Sequence, residues 1–496
     1  MINQEHSGSG DNIGGDKNVY VLPPLPPPLT EIPQNVNRYH SGTDTFVGRR
    51  EDLRKIDEFL HNSGQLAITS AVKSVTGMGG VGKTELALQY ALRYQEKYPG
   101  GICWVAARSG NIDLQIVDFC QSLGVYIPDD LNPRQKLDFC WSRWIDGNVL
   151  IIIDDVQSYG DIKSFLPPKN EKFKVIVTSR QRLGQLEQLR LKLLEPEEAL
   201  ELLKQIIGEE RIDQELEKAH ELCGWLGYLP LGLELVGRFL KTYDTWSLNK
   251  VLERLERKKL TARALLEPQE DEGDMTAQLG IASAFELSWE RLSKEAQLLG
   301  CYLSLFQSNL FDWGWVESSN LYPHEDEEEQ VDELERLRDE ELRKFNLLPM
   351  IKEEGENKVL FSYHPLLSRY FESKFNQLEE GEDFKRKFCS SMVEVAKSID
   401  DTPTQQEIEK FSIVVPHLEM IATEISECID DDDLTWPFIG LGKFSEGQTN
   451  YQETERHYKK CLLICQQRLG EEHPDVASSI NNLANLYYLQ GRYTEA

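Results

Sequence analysis

One octapeptide narrows the fold of this chain more than any other feature: Gly77-Met78-Gly79-Gly80-Val81-Gly82-Lys83-Thr84. It satisfies the pattern G-x-x-x-x-G-K-[ST] in full. Its flanks fit as well, with an apolar strand expected over Ser70–Val75 and a helix over Glu85–Tyr98. The glycines let the backbone curl so that successive N–H groups converge on phosphate oxygens. The helix that follows adds the positive end of its dipole. Gly77, Gly79, Gly80, Val81 and Gly82 would form the cradle, and Lys83 would reach the β- and γ-phosphates. Thr84 would place its hydroxyl on Mg²⁺, and Glu85, which opens the helix, is counted with the nucleotide-binding residues. The alternative is a degenerate site that no longer binds nucleotide.

A second motif supplies the acid that such a loop needs. Val149-Leu150-Ile151-Ile152-Ile153 runs into Asp154 and Asp155. A buried parallel strand delivers carboxylates to the carboxyl edge of its sheet, where ligands bind. Asp154 is the candidate for the Mg²⁺ shell, and Asp155 for positioning the attacking water. On its own the pair could be an acidic turn; about 70 residues after the loop it reads as its partner. The strand Lys174–Thr178 ends in Thr178-Ser179-Arg180. Arg180 at that edge can sense a γ-phosphate through charge-assisted hydrogen bonds, the bland reading being a surface arginine.

Short apolar strands at 71–75, 101–106, 149–153 and 174–178 alternate with helices such as Asp52–Leu60. Continuous apolar strands separated by helices imply a doubly wound parallel sheet, an α/β P-loop NTPase fold. Beyond residue 195 the strand signals fade, and helices are expected at 197–207, 216–226 and 231–243, followed by an acidic, loop-like boundary at Leu265–Thr276. Residues 277–375 mix helices with a strand near 358–363. The acidic run Glu325–Glu329 reads as a solvated insertion. The expected division is a Gly/Pro-rich disordered segment (1–40), a nucleotide-binding domain (41–194), a helical subdomain (195–276), a helix-and-strand domain (277–375), a helical linker (376–435) and a repeat segment (436–496). Two Gly/Asp pentads, 10–14 and 15–19, resemble each other and leave open a short self-association motif.

Composition removes several function classes. Lys plus Arg is 54 against 84 Asp plus Glu, a formal net charge of −30. That disfavours nucleic acid or an anionic membrane as partner for the chain as a whole. No apolar run approaches 18 residues, so no membrane span is expected. Nine scattered cysteines without a CxxC pair read as buried thiols in a reducing, cytoplasmic setting.

Leu441, Gln448, Tyr451 and Glu453 recur as Leu483, Gln490, Tyr493 and Glu495, 42 residues apart. With Ala477–Tyr487 and Gly491–Ala496, this resembles the 42-residue tetratricopeptide repeat, the start of an α-solenoid. About three repeats are needed to bury a solenoid face, so the chain is expected to be part of a longer array.

The ordered motifs resemble the NB-ARC group of the STAND NTPases over residues 44–375. Phe46-Val47-Gly48-Arg49 resembles the adenine-side V-G-R element, which implies nucleotide contacts for Val47, Gly48 and Arg49. Gly227-Tyr228-Leu229-Pro230-Leu231 resembles G-L-P-L, whose proline, here Pro230, packs on adenine. Phe285–Leu292 resembles the opening helix of the family's winged-helix domain, which implies that fold for 277–375. Tyr363-His364-Pro365-Leu366-Leu367 resembles the M-H-D motif, which implies that His364 contacts the β-phosphate of ADP. Tyr228 stands where the family has glycine, and Pro365 replaces the aspartate that braces the histidine. Without that context, Pro230 would be a turn proline and His364 a structural histidine. The resemblance implies a slow ATPase used as a signalling switch. ADP would hold a closed state, ATP an open and homo-oligomeric one, and the repeats would receive a signal from a protein partner. Two other readings remain: a repeat scaffold with a structural nucleotide domain, and a metabolic P-loop enzyme. A transcription regulator of this family would carry an N-terminal DNA-binding domain, which 40 low-complexity residues do not supply.

Overall fold

The computed structural model describes residues 32–36, 45–70, 80–109, 111–128, 131–264, 272–306, 310–322, 327–344, 347–348, 350–352, 359–361, 364–400 and 403–495. Five strands, β1 (Gln65–Ser70), β2 (Ile102–Ala106), β3 (Val149–Val156), β4 (Phe173–Ser179) and β5 (Glu187–Leu191), pair in parallel in the spatial order β2-β3-β4-β1-β5. Successive side chains of a strand point to opposite faces, and both faces of this sheet are covered. On β3, Leu150 and Ile152 enter the core that also holds residues of α1 (Arg50–Ser63) and α2 (Lys83–Arg93). Val149, Ile151 and Ile153 enter a second core built on the helices Ile112–Ser122 and Pro133–Arg143. This explains why β3 reads as an unbroken apolar run.

Several boundaries differ from expectation. The strand before the glycine loop is β1, with Leu66, Ala67 and Ile68 fully buried; residues 71–79, where the strand was expected, lie outside the described residues, as do both Gly/Asp pentads. The segment at 265–276 is not a loop throughout, because a helix begins at Glu272 and runs to Trp289. Phe285 to Trp289 form the last part of this helix. Ile281, Ala282, Ala284, Phe285, Leu287 and Trp289 are all buried, since this helix is packed by those at 216–225, 230–242, 248–264 and 365–375. Burial all round needs no amphipathic stripe, and none is visible in the sequence.

The segment expected to be a disordered tail is docked where it is described. Ile102 N–H donates to Pro33 O (2.9 Å), and Gln34 forms a parallel bridge with Ile102. The Asn35 amide acts as a two-pronged strand mimic: Oδ1 accepts from Trp104 N (2.6 Å) and Nδ2 donates to Trp104 O (3.0 Å). Val36 is fully buried. Residues 32–36 thus satisfy the outer backbone groups of β2, which lies at the sheet edge and would otherwise present unpaired donors and acceptors.

After the α/β domain come helices and a three-stranded antiparallel sheet, β6 (Phe311–Asp312), β7 (Met350–Lys352) and β8 (Val359–Phe361), in the order β6-β8-β7. The buried Glu286 carboxylate ties the helix 272–289 to the helix Pro365–Phe375. It accepts from Tyr370 Oη (2.5 Å) and pairs with Lys374 (2.7 Å). The acidic helix Glu327–Arg336 continues into a π-helical turn, where Glu341 accepts from Ser293 N (2.6 Å) and Oγ (2.9 Å) and so caps the helix Lys294–Leu303. The last three helices, Trp436–Gly447, Tyr451–Leu469 and Pro474–Leu489, pack in sequence. A methyl group on Gly442 would lie 2.1 Å from the Tyr458 ring, so glycine sets how closely the first two approach. Leu441 and its repeat equivalent Leu483 are both buried. All nine cysteines are buried and free. Among the described residues, no helix is long and apolar enough to cross a membrane.

In Asn35→Ala, the Trp104 amide loses this acceptor in an otherwise buried ladder. Leaving such a donor unsatisfied costs about 1–3 kcal/mol. Exchange of that amide should accelerate by about ten- to a hundredfold in native-state hydrogen exchange; an unchanged rate would contradict the docking of residues 32–36.

Candidate nucleotide site

The strand order builds the site. β4 lies between β1 and β3, so its last residues sit between the end of the glycine loop and the acidic end of β3. Gly82 (φ 91°) is the N-terminal cap of α2, and Gly80 (φ 89°) also lies in the left-handed region that side chains disfavour. Lys83 and Thr84 open α2. The Thr84 hydroxyl donates to Asp154 Oδ1 at 2.8 Å. Thr178, at the end of β4, donates to the same oxygen, and its hydroxyl accepts from Asp155 N (2.9 Å). Asp154 is buried. Three chain segments are thus joined by one carboxylate and two hydroxyls.

Asp155 lies within a register shift between β3 and β4 and has φ 54°. This left-handed residue turns its carboxylate differently from that of Asp154. Its Oδ1 accepts from Arg180 Nε at 3.2 Å, and its Oδ2 pairs with Arg108 at 3.4 Å. Arg180 stands where the sequence predicts a sensor of the terminal phosphate. Arg108, two residues beyond β2, was not singled out from sequence. Its position after a parallel strand's carboxyl end was the available signal, since ligands collect there.

Electrostatics follow from this crowding. Burial, then the Arg180 charge, brings the Lys83 ammonium down to about 8, with Asp155 and Asp154 acting the other way. His364 reaches the same place from far along the chain. Burial and the positive charges of Arg180, Lys83 and Arg108 hold its pKa near 3, against the pull of Asp155. It is neutral at pH 7. His364 caps the helix 365–375, and its Nδ1 accepts from Leu366 N (3.2 Å). An Nδ1 that accepts leaves the ring hydrogen on Nε2, so His364 presents a neutral donor.

The remaining predicted residues surround this centre. Arg49 has φ 58° and is buried; burial lowers its pKa. Its guanidinium donates to Val81 O (3.3 Å) inside the glycine loop and pairs with Asp52 (3.4 Å). Gly48 (φ 66°) lies against the Glu198 carboxylate, 2.5 Å from where a Cβ would be. Val47 packs on the main core. Pro230 begins the helix Pro230–Thr242, and the next residue, Leu231, donates its N–H to Gly80 O (3.4 Å). Gly227 (φ 63°) and Tyr228 (φ 54°) are both left-handed, which explains why glycine suits the position that tyrosine occupies here. Glu85 points along α2 and accepts from Gln89 (2.9 Å). Gly77 and Gly79 lie outside the described residues. Among the described residues, no group of three or more His, Cys, Asp or Glu could hold a metal by itself.

Residues 49–213 match the NB-ARC domain family, and residues 435–496 match the tetratricopeptide repeat. Regulatory protein AfsR of Streptomyces coelicolor is 32% identical over 232 residues, 43% of this chain and 23% of that protein. A nucleotide-binding leucine-rich repeat (NLR)-like protein of Hyaloscypha variabilis is 24% identical over 475 residues, 88% of this chain and 45% of its own length. Among solved structures, a STAND protein with a tetratricopeptide repeat sensor from Pyrococcus horikoshii aligns with 91% of this chain and 66% of its own, at 15% identity and a TM-score of 0.45. The chain spans less than half the length of these curated relatives. The chain thus carries an NB-ARC domain on a parallel α/β sheet, joined to helical segments and to a segment that matches the tetratricopeptide repeat.

Proposed function

We propose that the chain is an adenine-nucleotide-gated signalling switch, with ADP favouring the closed arrangement and ATP an open one that assembles with further copies. The observation that carries this reading is the convergence of His364 with Lys83, Arg180 and Asp155. A nucleotide seated on α2 would touch the α/β domain and the segment around 364–375 at once. Its phosphates then determine whether these parts stay together, and a ligand shifts such an equilibrium only by its differential affinity for the two states.

Each group has a role in that reading. The N–H groups at the start of α2 and the Lys83 ammonium hold the phosphates. Neutral His364 donates from Nε2 to the β-phosphate of ADP. Pro230 and the Val47-Gly48-Arg49 turn enclose the base, and Arg49 stiffens the loop through Val81 O. The Thr84 hydroxyl and Asp154 carboxylate are hard oxygen donors 2.8 Å apart, the type of pair that holds Mg²⁺ beside substrate phosphates. When bound, Mg²⁺ would supply positive charge that stabilises the phosphates. Arg180 reads the terminal phosphate, and Asp155 orients the water that resets the switch. The segment 277–375 acts as a winged-helix lid on the nucleotide. The repeats receive the signal, a protein partner, in a cytoplasmic setting. Their contact with the α/β domain supports such coupling: Thr449, at the turn before the helix 451–469, donates to Leu131 O (3.3 Å) beside the helix 133–143.

The direct test is to purify the protein without added nucleotide, denature it and identify what is released. Near-stoichiometric ADP is expected. In Lys83→Ala, none should be found, and Asp155→Ala should bind ADP as the wild type does but hydrolyse ATP at least tenfold more slowly. Absence of nucleotide from the wild type, with no stabilisation by added ADP or ATP, would overturn the reading. A competent site at about 100 times the dissociation constant should gain about 2.7 kcal/mol.

ADP affinity should also depend on pH. In the free site the Lys83 ammonium loses its proton near pH 8, and phosphate contacts favour the charged form. Affinity is therefore level below about pH 8 and falls above it by up to about tenfold per pH unit, with uptake of one proton on binding. Calorimetry in buffers of different ionisation enthalpy measures that proton; a flat affinity from pH 7 to 9.5 would contradict it.

A further inference from the structure

Asp155 is engaged on both of its oxygens, by Arg180 on Oδ1 and Arg108 on Oδ2. Each oxygen thereby commits part of its accepting capacity to an arginine instead of to water. Arg180 comes from the end of β4 and Arg108 from the turn after β2, so they hold Asp155 from opposite sides of β3. Both also act on His364, and Arg180 on Lys83. The pocket therefore gathers three basic side chains, Lys83, Arg108 and Arg180, around two carboxylates, Asp154 and Asp155. Asp154 is already bound by the hydroxyls of Thr84 and Thr178.

We propose that Arg108 is a second reader of the terminal phosphate, one that trades Asp155 for the γ-phosphate when a nucleoside triphosphate binds. The inference rests on the nucleotide-site reading above. A γ-phosphate brings oxygens of higher charge than a carboxylate, and guanidinium groups match phosphate geometry with two N–H donors. Arg108 is about one-third exposed, with a reach that a buried side chain would lack. Arg108 swinging to the phosphate frees Oδ2 of Asp155, which then accepts a hydrogen from the attacking water. A diphosphate offers no such competitor, so with ADP the Asp155 clamp stays closed. Triphosphate recognition and release of the water-orienting carboxylate become a single event. No bond is made or broken in this exchange of ion-pair partners.

The test is calorimetric binding of ADP and of a non-hydrolysable ATP analogue, each with Mg²⁺, to the full chain as wild type, Arg108→Ala and Arg108→Lys. Charge-assisted contacts of this kind correspond to about ten- to a hundredfold in affinity. Arg108→Ala is expected to weaken the triphosphate by about that factor and to leave ADP within twofold. Arg108→Lys, which keeps the charge but loses the fork, should fall between. Retained ADP binding shows that each variant is folded with an intact site. Equal loss of both nucleotides, or no loss of the triphosphate, would overturn the role of Arg108 and leave the nucleotide-site reading standing. A wild type that binds neither nucleotide would overturn both.

Discussion

The Asp154 carboxylate accepts hydroxyl hydrogens from Thr84 and Thr178, and much of the site depends on that node. Thr84 lies in the first turn of α2 directly after the glycine loop; Thr178 is the last residue but one of β4; Asp154 sits near the end of β3. Buried carboxylates are tolerated only when hydrogen-bonded, and here the bonding fixes three segments at one sheet edge. The β2-β3-β4-β1-β5 order is what makes it possible, because β4 must stand between the loop strand and the acidic strand for Thr178 to bridge them. Thr178 then passes the constraint on, since its hydroxyl accepts from Asp155 N and holds that residue in its left-handed turn.

From this node the structure extends outward through backbone contacts. Arg49 reaches Val81 O, and Leu231 N reaches Gly80 O. The glycine loop is thus gripped from the N-terminal turn before α1 and from the start of the helix 230–242. His364 adds a third approach from the helix 365–375. Neutral and fixed in tautomer by Leu366 N–H, it does not add a fourth charge to a cluster already holding Lys83, Arg108 and Arg180. Pro365, in place of an aspartate, begins the following helix and leaves the backbone N–H of Leu366 to orient the imidazole. The histidine is braced by main chain.

Much of this was legible in the sequence because its signals are local. The octapeptide, the apolar run before Asp154 and Asp155, and the strand ending at Arg180 each combine a period with a chemically special residue. The elements that were missed lack such a signature. β5 alternates exposed and buried positions at a sheet edge and contains Glu187, Gln188 and Arg190, so it carries no apolar run. The pairing of residues 32–36 with β2 depends on one asparagine side chain copying a strand, a contact across 69 residues. Residues 280–289 are buried on every side of their helix and therefore show no stripe. Arg108 was overlooked because a single arginine after a strand has meaning only once β2 is known to lie beside β3.

The central claim is that the nucleotide's phosphates decide whether the 364–375 segment stays on the α/β domain. Hydrogen exchange of the full chain with ADP, and with a non-hydrolysable ATP analogue, measures this at the amides of Leu366 and the helix 365–375. Protection of these amides with ADP, and its loss with the triphosphate while α2 stays protected in both, is the result this account expects. Equal protection of the helix 365–375 in the two states would contradict it.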